Sequence, residues 1–256
     1  TEDMQRVISY GNEIITSGKY SYMENFFDNF SPTNENSTEA ILSWPNTGGK
    51  SVDNSSPQMN WIVSVHYNSY SKLYGDAGWN GLATTTPFYE AFNCTDDLPV
   101  TFSPADTIWD LRLGGRVTSN VTSTFTSGIR PGFLVGQQYN ENKEEIYDRR
   151  GNLLIYNPVQ AEDGFELGNT LELSGIRVVK YAPDYDYYSG PAGNDAIILR
   201  YPDVVLMVAE AKLRIDANDE SALEMINDLR AARQAVPLQS IQLANPNDVN
   251  DPFTLI

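Results

Sequence analysis

The chain has 256 residues and carries 34 acidic against 17 basic side chains, a formal charge of −17 at pH 7. That balance argues against nucleic acid, whose phosphates call for a dense basic footprint, and against adhesion to an anionic bilayer by charge alone. Cys94 and His66 are the only cysteine and the only histidine, which removes disulfides, Cys/His zinc sites, haem attachment and any histidine chemistry beyond His66 itself; a metal would need oxygen ligands.

The 15 Tyr, 10 Phe and 4 Trp, with 18 Gly and 14 Pro, describe a loop-rich globule. No stretch approaches the roughly 18 consecutive apolar residues of a membrane helix. The chain starts Thr1-Glu2-Asp3 without a signal core and stops at Thr254-Leu255-Ile256 within an apolar pattern, so it is expected to be an internal piece of a longer polypeptide.

Met4, Val7, Ile8, Ile14 and Ile15 form one stripe of a helix that Gly18 should stop. Met23, Phe26, Phe27 and Phe30 repeat the stripe before Ser31-Pro32, which predicts an antiparallel helix pair over residues 1–33. From 34 to 199 the pattern breaks into short pieces between Gly, Pro, Asn and Ser clusters. Glu39–Trp44 and Ile176–Tyr181 read as short strands, Trp61, Val63, Val65 and Tyr67 alternate as a strand would, and Thr86-Pro87 suits the start of a short helix through Ala91. A second helix pair spans 200–237. Pro202 sits in its first turn, Val204 to Ala209 is apolar nearly all round, Asp216-Ala217-Asn218-Asp219 makes the turn, and Ala222, Met225, Ile226, Leu229 and Ala232 line the second helix before Pro237. Residues 238–256 form a tail. The expected fold is therefore mainly α: a tetratricopeptide-like helical-repeat scaffold carrying a long, irregular, ligand-binding insertion with short strands, all in a single domain. Long insertions of that kind are usually functional.

Acidic residues are plentiful, but no spacing singles out an acid and a base, so a carboxylate-based glycosidase is the weakest reading. His66 points outward to contact a ligand or satisfies a local hydrogen bond, the latter being the simpler reading, and Cys94 reads as an inert core thiol. Asp184, Asp186, Asn194 and Asp195 share one loop and offer oxygen ligands for structural calcium, although the spacing is not that of an EF-hand; solvated loop acids are the simpler reading. Gly114-Gly115-Arg116 is a turn. The richest segment is Ser64–Gly81, with three tyrosines, a tryptophan and two asparagines among glycines. Aromatic faces stack on sugar C–H faces while amides bond ring hydroxyls, so this composition suits a carbohydrate platform; core packing is the alternative.

Residues Ile198-Leu199-Arg200-Tyr201-Pro202-Asp203-Val204-Val205-Leu206-Met207-Val208-Ala209-Glu210-Ala211, followed by Ile226-Asn227-Asp228-Leu229-Arg230, resemble the "LRYAEVLLMYAEA … IN-x-(V/I)R" text of the SusD/RagB family of outer-membrane nutrient-binding lipoproteins. Gly18-Lys19-Tyr20 through Asn36-Ser37-Thr38-Glu39-Ala40-Ile41-Leu42, Gly78-Trp79-Asn80-Gly81 with Pro87-Phe88-Tyr89-Glu90-Ala91-Phe92, and Asp110-Leu111-Arg112 resemble further family segments in the same order. Two departures are the absence of the lipid-attachment Cys with the first helices and of the closing "ERR-x-EL" helix. Leu111 also replaces the usual Pro of "D-P-R", a change read as structural.

The resemblance implies a lid on a SusC-type TonB-dependent transporter, held at the cell surface by a lipid anchor, that captures a glycan without a chemical step or a cofactor. The RagB side of the family implies peptide capture as the alternative. Because ligand residues differ between members, candidates are chosen by chemistry: Trp79 as the stacking platform, Tyr70 and Tyr74 as secondary surfaces, Asn68 and Asn80 as amide partners. The alternative for Trp79 is a buried loop anchor, and for the others packing or turn roles.

Overall fold

The structure, a computed structural model, describes residues 2–50, 57, 59–69, 78–84, 88–89, 92, 110–114, 129, 131–156, 172–187, 191–240, 242–243 and 253–254. Its helices in chain order are α1 (Glu2–Thr16), α2 (Met59–Ile62), α3 (Tyr201–Ile215) and α4 (Glu220–Ala232). The strands are β1 (Ala40–Trp44), β2 (Gly132–Leu134), β3 (Gly136–Gln137), β4 (Ile155–Tyr156), β5 (Arg177–Val179), β6 (Ala196–Arg200), β7 (Gln242–Leu243) and β8 (Phe253–Thr254), paired two by two as β1 with β6, β2 with β5, β3 with β4 and β7 with β8. Two compact units result. One comprises Thr1–Asn29, Asn36–Trp44 and Ile197–Ile256, the other Phe30–Glu35 and Pro45–Ala196.

In the first unit α1 packs on α3, and α3 on α4. Gly11 marks the close approach of the first pair: a Cβ there would lie 2.2 Å from Val208 Cγ2. Gly18, at φ +65°, turns the chain after α1 as its position suggests. Pro202 opens α3, where the Arg200 N–H donates to the Asp203 carboxylate (2.7 Å), and Asp219 caps α4 by accepting from the Ser221 N–H (2.9 Å). Ala209, Leu213, Ala222 and Ile226 bury the seam between these two helices.

Two expectations for this unit need correction. Met23–Phe30 does not form a second helix; only a 3₁₀ turn, Phe26–Phe30, is present. Asn25 donates its amide to Asp28 (2.8 Å) and Asn29 to the Phe26 carbonyl (2.9 Å), local bonds that compete with helix propagation in a segment too short to nucleate cheaply. The partner of α1 is thus α3, distant in sequence. The apolar run in α3 is also not buried all round, since Leu206 and Met207 are about half exposed.

What secures the irregular stretch of this unit is Glu39, fully buried at the start of β1. Its carboxylate accepts from the Arg233 guanidinium, from Arg200 Nη1 (3.1 Å) and from the Met23 N–H (2.8 Å), and Arg233 also donates to the Met23 carbonyl (3.1 Å). The rings of Tyr22 and Phe26 lie 5.5 and 5.1 Å from the Arg233 guanidinium carbon and shield it from water. One carboxylate thereby ties the 22–26 segment, β1, the start of α3 and the end of α4.

The second unit is built from short strands and loops around Trp61, Val65, Leu134, Ile146, Leu154, Tyr156 and Val179. Strands β2 and β5 run antiparallel with Phe133 opposite Val178, and β3 and β4 with Gly136 opposite Tyr156. The alternation from Trp61 to Tyr67 is not a strand. The Ser64 and Val65 N–H groups both donate to the Trp61 carbonyl (3.2 and 3.0 Å), so Trp61 and Val65 share one face of a helical turn and both are buried. Asn60 sets the turn in place, its Oδ1 accepting from the N–H groups of Lys180 and Tyr181 (2.7 and 2.9 Å). The short helix expected from Thr86 to Ala91 lies mostly outside the described residues; Phe88 and Tyr89 are helical.

Replacing Glu39 by Ala leaves the Arg233 guanidinium buried without its carboxylate, for which a loss of about 3–5 kcal/mol is expected in urea unfolding followed by circular dichroism. Glu39→Gln, which keeps two polar atoms in place, is expected to lose less.

Candidate functional site

The candidate site lies in the second unit, at the Gly78-Trp79-Asn80-Gly81 corner. Three backbone bonds clamp the corner onto the turn that follows α2: the N–H groups of Trp79, Asn80 and Gly81 donate to the carbonyls of Ile62 (2.8 Å), Val65 (2.9 Å) and Val63 (2.8 Å). The approach is close enough that a Cβ at Gly78 would lie 2.2 Å from the Val65 oxygen and one at Gly81 2.9 Å from that of Val63, which explains both glycines. Asn80 takes the left-handed conformation, φ +48°, and so reverses the chain between them. The Trp79 side chain stands outward on this strut, with the residue 60% exposed, so it is not the buried loop anchor that was its alternative.

Asn80 faces inward. Its Oδ1 accepts from the Tyr156 hydroxyl (3.0 Å) and from Arg177 Nη2 (3.1 Å), and its Nδ2 donates to the Glu172 carbonyl (3.3 Å). Both ends of this amide are engaged within the protein, so Asn80 holds the corner and does not offer its amide to a ligand.

Glu172 gathers the neighbouring loops. Its buried carboxylate accepts from His66 Nε2 (2.9 Å), from the Tyr67 hydroxyl and from the Arg149 N–H (3.1 Å). His66 Nδ1 accepts from the Asn68 N–H (3.0 Å), which assigns the neutral tautomer with its proton on Nε2, facing Glu172. Burial pushes the His66 pKa below its ordinary value, against the opposing pull of Glu172. Burial alone would raise the Glu172 pKa, but the hydrogen bonds from Tyr67, His66 and the Arg149 N–H outweigh it and hold the carboxyl below the usual range. Glu172 is thus an ionised acceptor with no proton to donate, and His66 is held by a local bond from the Asn68 N–H and by Glu172, 106 residues away, a partner that the sequence did not indicate.

Asn68 is exposed and donates Nδ2 to the Tyr147 carbonyl (2.9 Å), leaving Oδ1 as an acceptor beside the half-exposed Tyr147 ring. Tyr70, Tyr74 and Cys94 lie outside the described residues. The loop acids have structural work. Asp184 accepts from the N–H groups of Asp186 (3.1 Å) and Gly193 (2.8 Å), Asp195 from that of Asn46 (2.8 Å), and Asn194 donates to the carbonyls of Phe30 and Ala182 (3.0 Å each). Asp184 and Asp195 are buried, so the reading of them as solvated acids does not hold; among the described residues no group of three or more His, Cys, Asp or Glu side chains is placed to hold a metal. Asp110 caps the turn Leu111–Leu113 by accepting from the Arg112 N–H and pairs with Arg112 Nε (2.9 Å), bonds in which Leu111 takes no part. Sequence reasoning missed Tyr147, Arg149 and Glu172. The turn signature Asp148-x-x-Gly151 points to the loop that carries Arg149; nothing local marks Glu172.

The match of residues 38–249 to the model of the SusD family is decisive: the chain belongs to that family. Solved structures agree at the level of fold. A SusD superfamily protein from Bacteroides vulgatus aligns with TM-score 0.54 and 18% identity over 93% of this chain and 41% of its own. One from Parabacteroides distasonis gives 0.53 and 15% over 93% and 40%. The surface glycan-binding protein A from Bacteroides thetaiotaomicron, in complex with laminarihexaose, gives 0.50 and 16% over 92% and 44%. The chain therefore spans about two fifths of the length of these structures. No curated protein matches it.

The buried His66–Glu172 pair makes stability depend on pH with a definite sign. Between the ordinary His pKa of about 6.5 and the lower folded value, the unfolded chain binds a proton that the folded chain refuses, so stability falls as pH drops below about 6.5. Glu172, also held low when folded, adds a further loss at more acidic pH. Because His66 is the only histidine, one imidazole resonance in NMR should titrate with a midpoint below 6.5. The melting temperature should drop between pH 7 and 5.5 and do so less in His66→Gln, whose amide keeps a donor without titrating.

Proposed function

We propose that the chain is the ligand-holding part of a lipid-anchored cell-surface protein that captures oligosaccharides or polysaccharides for a SusC-type TonB-dependent transporter of the outer membrane. The observation that carries the proposal is Trp79: a large aromatic face left in water on a corner clamped by three backbone hydrogen bonds and the Asn80 amide. A rigid exposed indole stacks on sugar C–H faces with little ordering entropy to lose on binding. Asn68, whose amide oxygen has no partner among the described residues, and Tyr147 add a hydrogen-bond partner and a second ring, and Tyr70 and Tyr74 belong to the same stretch of sequence. Family membership supports capture without chemistry, as does a Glu172 carboxyl that is ionised and already accepts three hydrogen bonds. The helices of the first unit are read as degenerate tetratricopeptide-like repeats.

Peptide capture is the second reading, favoured by one observation, the charge of −17. Binding to basic peptides would weaken steeply with salt, whereas stacking on a neutral sugar would not.

A broad glycan array, followed by calorimetry on the hits, is expected to give binding that Trp79→Ala reduces at least about tenfold, a loss of ~1.4 kcal/mol or more, with an unchanged circular dichroism spectrum. Silence across the glycans together with salt-sensitive peptide binding would overturn the proposal.

A further inference from the structure

Arg149 is an unusual cation for so acidic a chain. The turn Asp148-Arg149-Arg150-Gly151 is closed by the Gly151 N–H on the Asp148 carbonyl (3.1 Å), with Gly151 at φ +82°, and the Asp148 carboxylate accepts from the N–H groups of Arg150 and Asn152 (2.8 Å each). On this turn the Arg149 side chain is 68% exposed yet tethered: its backbone N–H donates to Glu172 (3.1 Å), its Nε donates to the Tyr67 hydroxyl (2.7 Å), and its guanidinium carbon lies 5.1 Å from the Tyr67 ring centroid. Among the described residues neither Nη atom has a hydrogen-bond partner. Glu172 does not use them. Its three hydrogen bonds all fall on Oε1, and Oε2 makes an ion pair with Nε at 3.9 Å, which leaves both Nη atoms unbonded among the described residues.

An exposed arginine usually samples many rotamers and gains little from an ion pair. One whose Nε is already tied down presents its two remaining nitrogens as a fixed fork, the arrangement that matches an oxyanion at two points. It sits among ligand-type groups: Tyr67 is next to Asn68, whose amide bonds the Tyr147 carbonyl, and Glu172, which holds Arg149, also holds the Trp79 corner through Asn80. Packing on Tyr67 and pairing with Glu172 use only one face and the Nε of this guanidinium, which leaves the two outer nitrogens of a 68% exposed side chain available to a ligand.

We infer that Arg149 is a specificity residue that selects saccharides bearing an anionic substituent, a uronate carboxylate being the group that fits its fork. The inference rests on the glycan-capture reading and names the ligand class within it. Trp79 supplies the stacking surface common to neutral and acidic sugars; Arg149 supplies the preference between them.

The test compares oligogalacturonate and alginate oligosaccharides with their methyl esters, which keep the sugar and remove the charge, and includes a sulfated glycan and neutral glucans. Calorimetry is run on the wild-type protein and on Arg149→Gln, Arg149→Lys and Trp79→Ala, each checked by circular dichroism. At least one uronate is expected to bind about tenfold tighter than its ester, and the preference should shrink as salt rises. Arg149→Gln should remove the preference while leaving the ester's affinity within about twofold, and Arg149→Lys should keep only part of it, having the charge without the fork. A sulfated glycan preferred over both uronates, with the same dependence on Arg149, would retain the anionic class and replace carboxylate by sulfate. Neutral glycans that bind through Trp79 while acidic ones gain nothing, or a uronate preference that survives in Arg149→Gln, would overturn this inference alone. No binding by any glycan would overturn the capture proposal along with it.

Discussion

In the loop-rich unit the governing constraint is the buried carboxylate of Glu172. Few of its described residues belong to regular structure, so polar groups that a sheet or helix would pair among themselves must find side-chain partners. Glu172 takes donors from His66, Tyr67 and the Arg149 backbone, and its carbonyl takes the Asn80 amide. The segments at His66-Tyr67, Asn80 and Arg149, which lie 106, 105, 92 and 23 residues before Glu172, are thereby fixed to one point. Without that point, the turn after α2 with the Trp79 corner clamped to it and the 148–151 turn would lose their common anchor. The first unit repeats the device with Glu39 and its two arginines. In both places a buried acid stands where secondary structure is missing, and each is costly to disrupt because the groups left behind are buried as well.

The consequence for recognition is preorganisation. A tryptophan on a mobile loop must be ordered when a sugar binds, and that entropy subtracts from affinity. Trp79 avoids most of it, since its backbone is clamped on one side by carbonyls that only glycine neighbours can approach and on the other by an asparagine in a conformation few residues accept. The same logic applies to Arg149, tethered at Nε while its outer nitrogens remain available. Specificity in such a site resides in a few polar ends displayed on a stiff frame, which allows the frame to persist while ligands differ.

The sequence made the helices legible where one apolar stripe met unambiguous ends. α1 stops before Gly18, and α3 and α4 are separated at Asp216–Asp219 and started by Pro202 and the Asp219 cap. The short strands around Ala40 and Arg177 were legible for a similar reason, being β-branched or apolar runs between turn residues. Periodicity misled where the element was shorter than its period could establish. Trp61, Val63, Val65 and Tyr67 alternate like a strand, yet Asn60 and the Trp61 carbonyl fold them into a helical turn; Met23 to Phe30 keeps a helical stripe but its asparagines bond locally. Within the site, Trp79 was found from composition because its chemistry needs no partner to be recognised. The inward role of Asn80 and the convergence on Glu172 could not be found that way, because a contact between residues about a hundred positions apart leaves no local trace when its members are single polar residues. Arg149 was within reach through the Asp148-x-x-Gly151 turn, but the turn alone says nothing of the Tyr67 tether.

The central claim is that Trp79 is a rigid, solvent-facing platform that meets the ligand. Tryptophan-selective ¹⁵N labelling gives the most direct measurement, with the four indole N–H signals followed during titration with a glycan that binds and the Trp79 signal assigned by Trp79→Phe. The account predicts that the Trp79 indole moves on saturation while that of Trp61, buried in the core, stays in place. A titration in which Trp79 remains still while the glycan binds would contradict it.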